Sequence, residues 1–270
     1  MSKIRFSRKF LAIPYGIFLI LFVIIPLLLI IFYAATTTDP VTGDVSLSFA
    51  NFKTFFTNEY NFHTFLISLA IGLGNTIICL IIGYPIAYIL AKKEFKFGGV
   101  VVLLFVMPMW INFVLRTAAT RDLLYSMGLS GGDHPYLSIM IGMVYNYLPF
   151  VILPLYSTML KMDKSLIEAS MDLGANKFQT FIKTIIPMTL PGVISAASMV
   201  FMPTMSSYVI SDVMGERQVS LIGNTIQLYF DQGLWHIGSF VALILLTIIL
   251  GSMFFTRNME KEDNVRGGLW

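Results

Sequence analysis

Residues 153–193 read LPLYSTMLKMDKSLIEASMDLGANKFQTFIKTIIPMTLPGV, and the change of composition along this stretch decides the fold. An apolar run ends at Leu160, a polar segment carrying Lys161, Lys164, Lys177 and Lys183 follows, and a second apolar run starts near Met188. Each flanking run is long enough to cross a bilayer, which takes about 20 predominantly apolar residues. The segment between them has helical punctuation of its own. Ser165-Leu166-Ile167-Glu168 has the form of a capping box, in which the serine hydroxyl serves a first-turn amide and the glutamate reaches back to the cap. Gly174 stands where a helix of about two turns would end in a left-handed residue. Asn176-Lys177-Phe178-Gln179 repeats the box, and the helix that follows carries Phe178, Phe181, Ile182, Ile185 and Ile186 until Pro187, where it is expected to stop. Residues 161–187 therefore read as a helical hairpin between two membrane spans.

Working outward, apolar runs of spanning length lie near residues 10–33, 64–91, 98–115, 137–160, 188–211 and 237–255. Charged residues make up 12% of the chain, about half the share a soluble domain needs to cover its surface, and 56% of residues are hydrophobic. The expectation is an all-α integral membrane protein: one transmembrane domain over residues 1–270, with about six spanning helices. The first run follows Lys3, Arg5, Arg8 and Lys9 as a signal peptide would, but it exceeds the ~7–15 apolar residues of a cleavable signal, so it is read as a retained helix. With the N-terminus placed inside, Lys92, Lys93, Lys96, the four hairpin lysines, Arg257, Lys261 and Arg266 also fall inside. That puts 14 of the 18 basic residues on one side and leaves Lys53, Arg116, Arg121 and Arg217 outside. By the positive-inside rule both termini are expected in the cytoplasm.

Texture within the spans suits a packed bundle. Gly83, Ala87 and Ala91 recur every four residues and give one helix face for close approach. Pro85, Pro108, Pro149, Pro154, Pro191 and Pro203 fall within spans or at their edges. They are open to two compatible readings, ordinary packing variety or bent helices that line a path. Cys79 is the only cysteine, so neither a disulfide framework nor a cysteine metal site is available. A net charge of +3 does not point to nucleic acid.

Glu168-Ala169-Ser170, Gly174 and Ile186-Pro187 together resemble the EAA loop of bacterial ABC importer permeases. In that family the pattern is Glu-Ala-Ala, three residues, Gly, nine residues, then Ile-x-Leu-Pro. Gly174 and Pro187 are in register, while Ser170, Thr184 and Ile186 depart from the second Ala, the Ile and the Leu. The resemblance implies a type I importer permease fold in the bacterial inner membrane, with Glu168, Ala169, Ser170, Gly174 and Pro187 coupling it to a cytoplasmic ATPase. Glu168 has two possible roles, as cap partner or as a charge offered to the ATPase. The partners implied are a second homologous permease, two ATPase subunits that bind the ATP and Mg, and an extracytoplasmic binding protein. No cofactor and no catalysis are expected in this chain. Leu153–Val193, Trp110-x-Asn112-x-x-x-Arg116 and Leu221-Ile222-Gly223-Asn224 are further similar to the permeases of spermidine/putrescine importers, specifically the first of their two permease subunits.

A polyamine is a flexible polycation, so its path should offer carboxylates, polar oxygens and aromatic faces, with cation–π contacts worth about 0.5–2 kcal/mol each. The outer loops hold eight acidic residues, Asp39, Asp44, Glu59, Asp122, Asp133, Asp212, Glu216 and Asp231, a sign that favours approach of a cation. Depletion of basic residues by topology alone explains the same count. Candidates for the path are Trp110 and Asn112 at the end of span three, Tyr145 and Asn146 in span four, Tyr208 and Asp212 ending span five, and Glu216 beyond. Interfacial aromatic belts and helix contacts are the competing roles. Leu129-Ser130-Gly131-Gly132-Asp133 resembles an ATPase signature, but the chain contains no G-x-x-x-x-G-K-[ST]. Gly128-Leu129-Ser130-Gly131, with His236, resembles a rhomboid protease but has loop composition. An ion-coupled carrier would place carboxylates at mid-span, and these spans are almost free of them.

Overall fold

The computed structural model describes residues 12–39, 42–92 and 96–267. Lys3, Arg5, Arg8, Lys9 and Lys93 of the charge count, and the start of the first span at Phe10, lie outside the described residues. Hydrocarbon offers the backbone no water, so every span must satisfy its amides and carbonyls internally. Helices dominate accordingly. In chain order they are α1 (Ile13–Ala34), α2 (Ala50–Thr57), α3 (Glu59–Leu90), α4 (Gly98–Val106), α5 (Phe113–Ser126), α6 (Pro135–Leu160), α7 (Lys164–Asp172), α8 (Lys177–Ser206), α9 (Val209–Met214), α10 (Ile222–Asp231) and α11 (Trp235–Gly267). Among the described residues α1, α3, α6, α8 and the Trp235–Thr256 part of α11 are long and apolar enough to cross a membrane.

The third expected span differs from its reading. It ends in a 3-10 turn at Met107–Trp110 and then bends by 100° into α5, so residues 98–115 are not one straight helix. Pro108 cannot donate to the ladder, and Asn112 starts α5 as a fresh helix by accepting from Val114 N (2.9 Å) and Leu115 N (3.3 Å). The fifth span also differs. Pro187 does not stop the helix, and α8 runs unbroken from the hairpin to Ser206. Phe181–Ile185 forms one wide π turn that ends with Ile186 N bonding Phe181 O, so the proline's missing amide and its ring fall where the ladder is already loosened. The same device precedes Pro26, where Ile20–Ile24 is a π turn and Ile25 N bonds Ile20 O. Span five then closes at an extended Ser207, short of the expected Ser211.

The chain divides into two compact units. In the first, formed by residues up to 62 with 225–246, a short antiparallel pair β1 (Thr36–Thr38) and β2 (Val45–Leu47) follows α1. Buried Asn51 donates to Ala34 O (3.0 Å) and Thr36 O (2.9 Å), which ties the end of α1 to the strand. His236 contacts Thr36 Oγ1, Thr38 Oγ1 and Tyr33 O. The second unit, residues 63–224 with 247 onward, holds the main core. Its principal seam is α6 against α8, with Ile139, Met143, Val151, Leu155, Ala196 and Val200 buried.

Glycine sets how closely these helices approach. A Cβ on Gly192 would lie 2.5 Å from Thr158 Oγ1, and one on Gly83 would lie 2.6 Å from Val151 Cγ1. Ala87 is fully buried, so the four-residue repeat of small side chains does face a neighbour. Buried hydroxyls and amides add cross-helix ties, Asn75 Nδ2 to Thr204 Oγ1 at 2.8 Å and Tyr84 OH with Thr189 Oγ1 at 2.7 Å. Such bonds contribute about 0.6 kcal/mol each in membrane bundles. Ile81, Leu103 and Phe254 stand outward, as lipid-facing side chains do. Gly192→Val should destabilise the chain by about 1–3 kcal/mol through overpacking against Thr158. Gly251→Ala, where a Cβ meets nothing within 4 Å in a helix, should leave stability unchanged or raise it. Fluorescence-detected thermal unfolding of the detergent-solubilised chain measures both.

Candidate functional site

The hairpin begins differently from the capping box read at Ser165. Asp163 is the cap: its backbone is extended and its carboxylate accepts from Ser165 N at 2.9 Å. This bond to Ser165 holds the Asp163 carboxyl below its usual range. Asp163 takes the role because it is the last residue outside the helix, whereas Ser165 is already inside its first turn. Glu168 is therefore not a cap partner, and its side chain is exposed. It lines a cleft of about 180 Å³ with Tyr88, Lys92, Met159, Met162 and Met171, and Lys92 Nζ sits 4.7 Å from the centre of the Tyr88 ring.

The turn follows the expected form. Gly174 has φ +88, with its N–H on Met171 O (2.9 Å) and Ala175 N–H on Ser170 O (3.2 Å), the paired bonds of a Schellman stop. A Cβ there would meet nothing within 4 Å, so conformation and not space demands glycine. The second box is fully formed: Asn176 Oδ1 accepts from Gln179 N (2.8 Å) and Gln179 Oε1 accepts from Asn176 N (3.0 Å).

Two of the three departures from the EAA pattern answer each other across the hairpin. Thr184 Oγ1 donates to Ser170 Oγ (3.2 Å), and Ser170 Oγ lies 3.3 Å from Thr180 Oγ1, itself 2% exposed. These three hydroxyls pin α7 onto α8. Ala169 is exposed, and Pro187 sits inside α8 just beyond the π turn. At the turn the hairpin presents apolar side chains to its surroundings, with Leu173 89% and Phe178 72% exposed. Phe178 was visible in the sequence only as part of an apolar face, and Leu173 was not singled out.

The path candidates fall into separate groups. Trp110 is 82% exposed at the end of the 3-10 turn, and the Asn112 side-chain oxygen is taken up by its cap. Tyr145 and Asn146 converge on Arg116. Arg116 Nε donates to Asn146 Oδ1 at 2.9 Å, Asn146 Nδ2 donates to Gly142 O at 2.8 Å, and the Arg116 guanidinium lies 5.7 Å from the Tyr145 ring centre. Asn146 is fully buried in this cluster. Tyr208 and Asp212 do not end span five. Tyr208 caps the start of α9 and Asp212 lies within it, and both are gathered by Asn224, which donates to Asp212 Oδ1 and Tyr208 O and accepts from Ser211 Oγ (2.6 Å) and Leu221 N (2.9 Å). Glu216 and Arg217 form a turn with φ of 48 and 62, and Glu216 packs against Gly131 and Gly132. Spacing marks neither Arg116 nor Asn224 as an organiser, although they close Trp110-x-Asn112-x-x-x-Arg116 and Leu221-Ile222-Gly223-Asn224. By charge topology Arg116 is an outer-loop residue, yet it is only 8% exposed. Ser130 Oγ donates to Asp133 Oδ2 (2.7 Å) within a turn.

Residues 83–262 match the family model described as binding-protein-dependent transport system inner membrane component. The spermidine/putrescine transport system permease protein PotB of Escherichia coli (strain K12) is 36% identical over 250 residues, 87% of this chain and 90% of that protein. PotB of Haemophilus influenzae (strain ATCC 51907 / DSM 11121 / KW20 / Rd) is 34% identical over 269 residues, 93% of this chain and 92% of that protein. A crystal structure of a bacterial alginate ABC transporter, in complex with alginate pentasaccharide-bound periplasmic protein, matches with a TM-score of 0.64 over 94% of this chain and 93% of that one. At 14% identity it speaks to the fold alone. The helical bundle and these matches agree: the chain belongs to the binding-protein-dependent transport system inner membrane components and is a permease subunit of an ABC importer.

Proposed function

We propose that the chain carries polyamines, spermidine or putrescine, inward across the membrane in an assembly powered by separate ATPase subunits. The observation that carries the coupling part is the apolar tip of the hairpin. Leu173 and Phe178 stand out at a rigid glycine turn, and an apolar pair at the tip of a polar hairpin is a surface that a partner would cover. Glu168, Ala169, Ser170, Gly174 and Pro187 form or support this tip, with both termini on the same, cytoplasmic side. ATP and Mg are bound by two ATPase subunits beneath, and a second permease and an extracytoplasmic binding protein complete the assembly. Because α8 is continuous from the hairpin into a span, and the Ser170, Thr180 and Thr184 hydroxyls fasten α7 to it, a push on the tip moves a membrane helix as one piece. The polyamine assignment is supported by the spermidine/putrescine permeases among the relatives. Trp110, Asn112, Tyr145, Asn146, Tyr208, Asp212 and Glu216 remain the candidates for the path, of which the exposed aromatics Trp110 and Tyr208 suit a cation.

Uptake of radiolabelled spermidine and putrescine tests this reading in transport-deficient cells expressing the chain with its genomic-neighbour permease, ATPase and binding protein. Uptake should need the full set and be lost on Glu168→Lys. Uptake by the chain alone would sink the ATPase coupling, and a competent complex that moves neither polyamine would sink the substrate. Gly174→Asn should keep most transport, since asparagine tolerates a left-handed backbone, whereas Gly174→Val, strained by about 1–2 kcal/mol, should lose it. Ser170→Ala and Thr184→Val should each reduce uptake per ATP hydrolysed. The double variant should be no worse than the poorer single, with a coupling of about 0.5–1.5 kcal/mol between the two.

A further inference from the structure

Among the described residues Arg116 is the only buried charged side chain. It is 8% exposed, and its Nε is held by the neutral Asn146, while its two terminal nitrogens meet no hydrogen-bond acceptor or carboxylate among the described residues. Three nearby carboxylates have other partners, Asp122 with Arg121 (2.7 Å), Asp133 with Ser130, and Asp212 with Asn224, and Glu216 lies against Gly131 and Gly132. The guanidinium opens instead into a groove of about 600 Å³ walled by Ile111, Leu115, Ala119, Leu123 and Tyr145. The groove lies along α5 beyond the 100° bend, and Leu115 and Leu123 stand 68% and 60% exposed on its walls. A buried cation needs an anion, and an apolar wall needs an apolar cover. A phospholipid supplies the second with its chains and the first with its headgroup phosphate, an occupant that the cross-linking test below separates from a protein partner. A helix carrying one acidic side chain among apolar ones supplies both.

We propose that this groove is the seat of the second permease subunit, which places a carboxylate, Asp or Glu, on Arg116. The inference rests on the second permease of the proposed assembly and adds to it a location and a charge pair. On this inference Asn146 and Tyr145 leave the set of path candidates and act as positioning residues that aim the guanidinium into the groove, where the partner's acid meets it. A polycation passing nearby would meet a neutralised arginine.

The test uses the full co-expressed complex. A benzophenone amino acid at Leu123, with Arg116 unchanged, should cross-link to the second permease, and the same probe at Ile81 should not. An adduct with lipid alone at Leu123 would overturn the proposal. Arg116→Glu should lower co-purification of the second permease by about tenfold or more, Arg116→Lys should keep it, and a single acid-to-arginine change in the partner should restore the Glu variant. Undiminished assembly of Arg116→Glu would overturn it too, as would Arg116→Glu that assembles normally but loses uptake, since Arg116 would then act on the solute. If no second permease co-purifies with the unaltered chain, the proposed assembly itself fails, which is distinguishable from an intact complex that gives no cross-link at Leu123.

Discussion

Inside a bilayer, a backbone amide or carbonyl without a partner has no water to turn to, and the prolines of these spans must be reconciled with that constraint. At two of them the chain does so by local widening and not by breaking, while Pro85, Pro149, Pro154, Pro191 and Pro203 sit inside continuous helices. A π turn at Phe181–Ile185 absorbs Pro187, and another at Ile20–Ile24 absorbs Pro26. Only at Pro108 does the helix give way, into a 3-10 turn and a sharp bend that Asn112 caps. The difference has consequences for function. Where the ladder is merely widened, the polar hairpin and the membrane helix are one body. Where it is broken, a new helix sets off in another direction and carries Arg116 with it.

Packing in the second unit is built on absence of side chain. Gly83 and Gly192 let α3 and α8 lie against Val151 and Thr158 of α6, a distance at which dispersion and a few buried hydrogen bonds hold the seam. There is no hydrophobic effect between helices in lipid, so such contacts carry most of the stabilisation. The same economy appears in the hairpin. A Schellman turn, two capped helices and three mutually bonded hydroxyls make a stiff element from some 20 residues that have little buried surface. Stiffness of this kind lets a small exposed tip, Leu173 and Phe178, deliver displacement to a span.

Four of the path candidates are collected by two organisers, Tyr145 and Asn146 by Arg116, and Tyr208 and Asp212, with Ser211, by Asn224. Each organiser converts side chains that look like independent ligands into a bonded cluster. A buried polar group inside a bundle is therefore evidence of a neighbour before it is evidence of a substrate.

Composition and spacing along the chain were enough to determine the membrane class, five of the six expected spans, the hairpin between the fourth and fifth, and the left-handed glycine at 174, because each depends on local hydropathy or on one residue's backbone. The second capping box was legible for the same reason. Registers between distant segments were not. That Asp163 and not Ser165 caps α7 depends on where the chain leaves its preceding helix. That Pro187 passes within a helix depends on a turn widening upstream. That Ser170 and Thr184 form a pair, and that Arg116 is buried beside Asn146, depends on which faces of separate helices meet. Hydrogen bonds between residues 14 and 30 positions apart leave no periodic trace in the chain, and only the packed tertiary structure decides them.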